Sequence, residues 1–113
     1  MKEQQYNATV VGKIIITPDL MILRIKADEP RNKFIAGQYT SIGLFGKEMR
    51  SPNSVVPVED SNPEELIIRP YSIASANIET QHFEFYISQV KSGQLTPRLF
   101  SLKQGSRIWL DNN

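Results

Sequence analysis

Turn-forming residues divide this chain into short segments, and that division limits what it can fold into. Seven prolines and six glycines are spread over 113 residues. Most segments between them alternate apolar and polar residues or are rich in β-branched residues, which is the pattern of β-strands. No apolar run approaches the length needed to cross a bilayer. The sequence therefore predicts an all-β domain, with no association with a membrane.

The pattern predicts six strands, at residues 6–17, 20–26, 39–44, 66–75, 82–90 and 107–110. The first two are expected to pair antiparallel across a short turn at Pro18 and Asp19. With a single short helix beside them, six strands indicate an antiparallel barrel or sandwich rather than an α/β sheet. The length suits one domain spanning residues 1–113.

The helix is predicted from a stripe of three leucines, Leu95, Leu99 and Leu102, which recur at helical spacing. Thr96 followed by Pro97 predicts a capping hydroxyl and then proline at the first helical position. Gly105 is expected just past the end of the helix, where glycine commonly stops one.

Charge and composition exclude several classes of function. Thirteen basic and twelve acidic residues give a formal charge of +1, which is too balanced for a general nucleic-acid binder. The chain has no cysteine, which excludes disulfides, thiolate metal sites and cysteine nucleophiles. His82 is the one histidine, so no metal site is expected. The N-terminus shows no signal-peptide pattern, which leaves the cytoplasm as the expected location.

An acidic, proline-rich segment follows the third predicted strand. Residues 51–65 contain three prolines, four carboxylates and no basic residue. Such a segment buries little, and a solvated loop is favoured over a pair of catalytic carboxylates. Because loop-closure entropy changes slowly with length, deletion of much of it is expected to leave the fold intact.

The densest candidate for chemistry lies within an apolar strand, at Arg69-Pro70-Tyr71-Ser72. Side chains at i and i+2 share one face of a strand, so Arg69 and Tyr71 are expected side by side. A guanidinium grips phosphate oxygens with a planar fork, and a phenol ring offers a face for stacking. The alternative is a surface arginine that packs on a tyrosine. Pro70 lacks a backbone N–H, so the strand edge should be unpaired there.

A second candidate is the segment from Ser92 to Arg98, in which Gly93 precedes the predicted helix. Backbone N–H groups at a helix start, together with the Thr96 hydroxyl, can hold an anion. The alternative is an ordinary connection between a strand and a helix. Taken together, the two candidates could clamp a diphosphate from two sides.

These segments, in this order, resemble the flavin-binding domain of ferredoxin–NADP reductases and their relatives. Arg69-Pro70-Tyr71-Ser72 is similar to the family's Arg-x-Tyr-Ser motif, and Gly93-Gln94-Leu95-Thr96 to its Gly-x-x-Ser/Thr motif. Residues 34–39 resemble its Gly-Gln-Tyr segment. Residues 84–86 and 95–99 look especially like the bacterial ferredoxin/flavodoxin reductases. The resemblance covers roughly residues 6–110.

The resemblance implies a six-stranded antiparallel Greek-key barrel with one short capping helix, and FAD as the cofactor rather than FMN. It implies that Arg69 pairs with the flavin diphosphate, that Tyr71 packs beside the isoalloxazine, and that the Ser72 hydroxyl lies near N5. Tyr71 and Ser72 are thus the catalytic candidates. The further cofactor-binding candidates are Pro70, Tyr86, Ile87, Ser88, Gln94, Leu95 and Thr96, of which residues 86–88 act largely through backbone groups.

The resemblance also implies partners. NADP(H) would bind a second, nicotinamide-binding domain that residues 1–113 lack, and ferredoxin or flavodoxin would exchange single electrons with the flavin. Two alternatives stay open: the flavin domain of an oxygenase reductase component, with FAD or FMN, and a barrel that has lost flavin and serves as an interaction module. The chain alone is not expected to react with NADPH.

Overall fold

A computed structural model describes residues 5–30, 37–56, 60–77 and 79–111. Over these residues the chain forms seven strands and one short helix. The elements in chain order are β1 (Ala8–Thr17), β2 (Leu20–Ala27), β3 (Tyr39–Phe45), β4 (Leu66–Ser72), β5 (Ser75–Asn77), β6 (His82–Ser88), α1 (Thr96–Phe100) and β7 (Arg107–Leu110). No helix in the described ranges is long and apolar enough to cross a membrane.

The seven strands form one antiparallel sheet that curls on itself. Their order is β4-β3-β7-β1-β2-β6-β5, and the two strands at its ends are consecutive in the chain. Only Ile73 and Ala74 separate them. The Ile73 N–H donates to Gln38 O at 2.8 Å, and the Ala74 N–H donates to Glu84 O at 2.8 Å. The chain therefore passes from the β3 side to the β6 side within two residues, and the sheet closes into a barrel.

This architecture confirms the predicted antiparallel all-β barrel with one short helix. The difference lies in the fourth predicted strand, residues 66–75, which is split at Ile73 and Ala74 into β4 and β5. A continuous strand would keep one neighbour on each side. Here the hydrogen bonds of the segment change neighbour halfway, so it counts as two strands.

Alternating side chains on β2 and β6 build the centre of the core. The β2–β6 register places Met21 opposite Ile87, Leu23 opposite Phe85 and Ile25 opposite Phe83, and all six side chains are fully buried. Each contributes roughly 1.5–3 kcal/mol of burial free energy. The intervening residues face outward, as the alternation predicts.

The segment around helix α1 packs into the core through the three leucines that predicted the helix. Leu95, Leu99 and Leu102 are all buried, although the helix itself spans only Thr96–Phe100. The Lys13 ammonium donates to Phe100 O at 2.5 Å and to Leu102 O at 2.8 Å. These bonds satisfy carbonyl groups at the end of the helix, and burial lowers the pKa of Lys13.

The predicted cap of the helix is wrong. Leu95 occupies the N-cap position and makes no capping side-chain bond, so Thr96 is already helical. The Thr96 hydroxyl instead accepts from the Val90 N–H at 2.8 Å and donates to Val90 O at 3.1 Å. Gly105 is not the helix stop either: the helix ends at Phe100 with Ser101 as its C-cap, and Gly105 lies in the turn before β7 with φ at 95°.

Pro70 lies where the sequence predicts, on an outer strand. In the part of the chain that the structure describes, β4 is hydrogen-bonded to β3 alone, with Pro70 opposite Ser41. A proline, which lacks the N–H donor, is tolerated there because the other edge of the strand has no partner to lose.

The described residues of the acidic segment are mostly exposed, as its composition predicts, but the segment is attached to the barrel at several points. The buried Ser51 donates its N–H to Pro97 O at 2.9 Å, and Asp60 pairs with the buried Arg98. A Cβ on Gly46 would lie 2.2 Å from Asn62 O, so the segment is packed closely onto the barrel. The physical reason is Arg98, whose burial requires a carboxylate partner. The expectation that much of the segment can be deleted stays a prediction, and these contacts argue against it.

Candidate functional site

The alternation of side chains along β4 determines which of its residues face the site. Arg69 and Tyr71 lie between Ile67 and Ile73 at intervals of two residues, so all four belong to one face of the chain. Ile67 and Ile73 are buried in the core, whereas Tyr71 is half-buried against it and Arg69 is exposed. The pair therefore lies on the inner face of an outer strand, where the barrel opens to solvent.

Arg69 carries a positive charge that no described acidic residue pairs. Its Nη1 donates to Ile68 O at 2.8 Å, and the ion pairs of the described residues do not include it. A guanidinium held in this way can still offer several N–H donors to an anion.

The Tyr71 hydroxyl is held in its neutral form. Burial raises the pKa of Tyr71 to about 12, with the Arg69 charge acting in the opposite direction. A phenol with this pKa carries no charge at neutral pH and does not act as a base there. The side chain can therefore offer a ring surface and a neutral hydroxyl.

A cleft of about 490 Å³ joins the two segments that the sequence singles out. It lies between β4 and the connection that leads from β6 into α1. Its lining residues are Arg69, Pro70, Tyr71, Val90, Ser92, Gly93, Gln94, Leu95 and Thr96. The structure thus brings together six of the predicted cofactor-binding residues: Arg69, Pro70, Tyr71, Gln94, Leu95 and Thr96.

The wall opposite Arg69 is a tight turn closed by Thr96. The Gly93 N–H donates to Val90 O at 2.8 Å, and a Cβ on Gly93 would lie 3.1 Å from that same oxygen. Because the Thr96 hydroxyl donates to Val90 O, its proton is not available to a ligand in the cleft. The donors this wall offers are backbone N–H groups at the first turn, which have no intrahelical partner. With five residues, α1 adds only a small dipole.

Four of the predicted site residues do not line the cleft. Ser72 is exposed on the other face of β4, opposite Tyr39. Tyr86 and Ser88 point outward from β6, Tyr86 with 63% of its surface exposed, and Ile87 is buried in the core.

Residues 86–88 have one backbone edge without a strand partner in the described chain. Strand β5 pairs with β6 only at residues 82–84, so beyond Glu84 this edge of β6 has no strand partner in the described chain. The expectation that residues 86–88 act largely through backbone groups stays a prediction. Of the Gly-Gln-Tyr segment, residues 34–36 lie outside the described residues. Gly37 has φ at 89°, a conformation that favours glycine.

Behind the cleft, the buried Arg98 pairs with the partly exposed Asp60, a contact that the sequence patterns do not predict. Arg98 has 2% of its side chain exposed and binds Asp60 through Nη2 at 3.1 and 3.2 Å. Burial acts to raise the pKa of Asp60, but the Ser61 N–H and the Arg98 and Arg50 charges outweigh it and lower that pKa. The leucine stripe predicts an apolar helix and gives no sign that Arg98 on it is buried. The available sequence signal is the group of four carboxylates in the preceding loop, any of which could pair with a buried arginine.

Comparisons with known proteins bear on the family and the fold. A family model described as the oxidoreductase FAD-binding domain matches residues 7–111. A ferredoxin–NADP reductase of Azotobacter vinelandii is 37% identical over 79 residues, which cover 70% of this chain and 24% of that protein.

Two solved structures share the fold. The ferredoxin NADP+ reductase of Neisseria gonorrhoeae, with bound FAD and NADP, superimposes with a TM-score of 0.71 at 22% identity, covering 98% of this chain and 38% of that one. The ferredoxin reductase in carbazole 1,9a-dioxygenase gives a TM-score of 0.68 at 29% identity, covering 93% and 27%. The chain spans about a quarter of the length of the curated ferredoxin reductases it matches.

Proposed function

The chain belongs to the oxidoreductase FAD-binding domain family, and we propose that the cleft between β4 and α1 is where it holds FAD. The observation that carries this proposal is the cleft itself. Arg69 and Tyr71 on one side face residues 94–96 on the other, across about 490 Å³.

The residues of the cleft suit a ligand with both phosphate and a flat ring. Arg69 is an exposed guanidinium without a described acidic partner, and backbone N–H groups at Leu95 and Thr96 lie on the opposite wall. The neutral, half-buried ring of Tyr71 provides a surface for the isoalloxazine. The bound FAD supplies the redox chemistry, and the protein supplies its binding, orientation and electrostatics.

The remaining predicted residues are proposed to contact the cofactor from the rim. Pro70 lines the cleft beside Arg69. Residues 86–88 would contact FAD through the backbone edge of β6 beyond β5. The Ser72 hydroxyl would approach the ring from the exposed end of β4.

The proposed activity of the whole protein is electron transfer between NADPH and a one-electron carrier, ferredoxin or flavodoxin. The Azotobacter vinelandii relative, a ferredoxin–NADP reductase, supports this class of reaction. We place the NADPH site on a second domain outside these 113 residues, because the chain matches about a quarter of its relatives' length. The proposed location is the cytoplasm.

A second candidate is the flavin-binding part of an oxygenase reductase component. The observation that favours it is the 29% identity to the ferredoxin reductase in carbazole 1,9a-dioxygenase. The two candidates share the flavin site and differ in the electron acceptor. Reduction assays of the whole protein with ferredoxin, flavodoxin and an oxygenase component separate them.

The experiment that tests the flavin proposal is identification of the released cofactor. The 113-residue chain is purified, heated, and the supernatant is analysed by chromatography against FAD and FMN standards. We expect a yellow protein that releases FAD. A folded, colourless protein that takes up no FAD when it is supplied would contradict the proposal and favour an interaction module.

A further inference from the structure

We propose that Asp60, acting through Arg98, is a positioning residue that fixes residues 94–96 for the phosphates of the flavin. The inference rests on the proposed function, because it assigns a role to groups behind the same cleft. Asp60 and Arg98 do not line the cleft, so their effect on a ligand would pass through the segment that does.

Arg98 connects the cleft wall to the barrel and to the acidic loop. Its Nη1 donates to Gln94 O at 2.7 Å, and its Nε and Nη2 donate to Gly46 O at 3.2 and 3.0 Å. Its Nη2 also reaches both carboxylate oxygens of Asp60. One buried guanidinium thus joins the cleft wall, the β3 end of the barrel and the loop.

The residue after Asp60 holds Gln94 by its side chain. The Ser61 hydroxyl donates to Gln94 Oε1 at 2.7 Å, and the Ser61 N–H lies 3.2 Å from the same oxygen and 2.8 Å from Asp60 Oδ1. Gln94 is therefore fixed at its backbone carbonyl by Arg98 and at its amide oxygen by Ser61. Its neighbours Leu95 and Thr96 carry the backbone N–H groups proposed to meet the phosphates.

Arg50 and the acidic loop also form hydrogen bonds with the residues that flank the 94–96 segment. Arg50 Nη2 donates to Lys91 O at 3.0 Å and to Val55 O at 2.8 Å, and the Val55 N–H donates to Lys91 O at 2.9 Å. At the other end, the Ser51 N–H donates to Pro97 O at 2.9 Å. The acidic loop, which composition alone predicts to be dispensable, thus contacts the cleft wall on the side away from the cleft.

A pure charge effect and a positioning effect of Asp60 would change FAD affinity in opposite directions. Arg98 and Arg50 are both buried, with 2% and 9% of their side chains exposed, and both approach Asp60, at 3.1 and 3.8 Å. Loss of the Asp60 charge leaves two buried cations near the cleft. If charge alone mattered, an anionic flavin would then bind more tightly, whereas loss of positioning makes it bind more weakly.

The test is a titration of the full 113-residue chain with FAD and with riboflavin, which has no phosphate. The variant is Asp60→Asn, and its matched control is Glu64→Gln, which removes an equal charge from an exposed carboxylate of the same loop. A second variant, Ser61→Ala, leaves the Asp60–Arg98 pair in place and has Ser75→Ala, at an exposed serine of β5, as its control. It carries the test if Asp60→Asn does not fold.

We expect Asp60→Asn to raise the Kd for FAD about tenfold and Ser61→Ala about threefold. The Kd for riboflavin and both control variants should stay near the wild-type values. Unchanged or tighter FAD binding in both variants would overturn the positioning role, and so would equal losses for FAD and riboflavin. If the folded wild-type chain binds no FAD at all, the proposed function itself fails.

Discussion

Tyr71 lies between the core and the cleft, and its burial controls when its hydroxyl ionises. The ionised form must give up water that the unfolded chain would provide, so its pKa rises from 10 to about 12. A group whose folded pKa is raised contributes stability fully below its unfolded pKa. That contribution is lost as the pH rises through the folded pKa.

We therefore predict that ionisation of Tyr71 makes the free energy of unfolding fall as the pH rises from 10 to 12, with no such change near neutral pH. The measurement is the phenolate absorbance of the wild-type chain minus that of Tyr71→Phe, followed against pH, together with denaturant unfolding of both. A difference curve with its midpoint at pH 10 would show that the ring is solvated and not held against the core.

Single residues also show where sequence reasoning stops. The side-by-side placement of Arg69 and Tyr71 follows from strand periodicity alone, and the structure agrees. The role of Thr96 cannot be predicted in the same way, because whether a threonine caps a helix depends on where the helix begins. Here it begins one residue early, and Val90 takes both hydrogen bonds of the hydroxyl.

At the scale of the elements, alternation predicts strands well and connections poorly. Strands β2 and β6 follow their apolar alternation residue for residue. The break between β4 and β5 has no local signal, because it arises from a change of hydrogen-bonding neighbour at Ile73 and Ala74. The acidic loop is exposed as predicted, but its contact with Arg98, more than thirty residues away in sequence, has no local signal.

We predict that deletion of residues 51–63 destabilises the chain, contrary to what loop composition alone indicates. The deletion removes the carboxylate partner of the buried Arg98 guanidinium, at a cost of about 1.5–3 kcal/mol in the free energy of unfolding. Denaturant unfolding of the two chains measures it.

The control for this deletion is the same variant combined with Arg98→Met. Methionine fills a similar volume without a charge, so part of the lost stability should return. A deletion variant as stable as the wild-type chain would show that the loop only covers the surface and that Arg98 finds other partners.

At the scale of the whole molecule, closure of the barrel creates the site. Because β4 is an outer strand of the sheet and joins β5 across two residues, its inner face is brought toward the segment that follows β6. The order of the strands places Arg69 and Gln94 on one cleft although they are 25 residues apart in the sequence. Strand alternation alone predicts an antiparallel barrel or sandwich, and the family resemblance is what favours the barrel.

We predict that the FAD-loaded chain is reduced by dithionite but is not reduced by NADPH at an enzymatic rate. Hydride transfer needs the nicotinamide oriented at the flavin, and such orientation supplies roughly 7–11 kcal/mol of a barrier. We place the groups that orient it on another domain. Anaerobic stopped-flow absorbance at the flavin band measures both reactions. Reduction by NADPH at about 10 s⁻¹ or faster, a usual enzymatic rate, would mean that these 113 residues are sufficient.

The central claim is that Arg69 binds the phosphates of FAD in the cleft between β4 and α1. Its most direct test is an equilibrium titration of FAD into the wild-type chain and Arg69→Ala, with unfolding curves of both chains as the control for folding. Because Arg69 is exposed and forms no ion pair within the described chain, its removal should leave the free energy of unfolding nearly unchanged. We predict that FAD binding weakens by about 1.5–3 kcal/mol, the usual contribution of a charged hydrogen bond. Equal affinity of the two folded chains for FAD would contradict the claim.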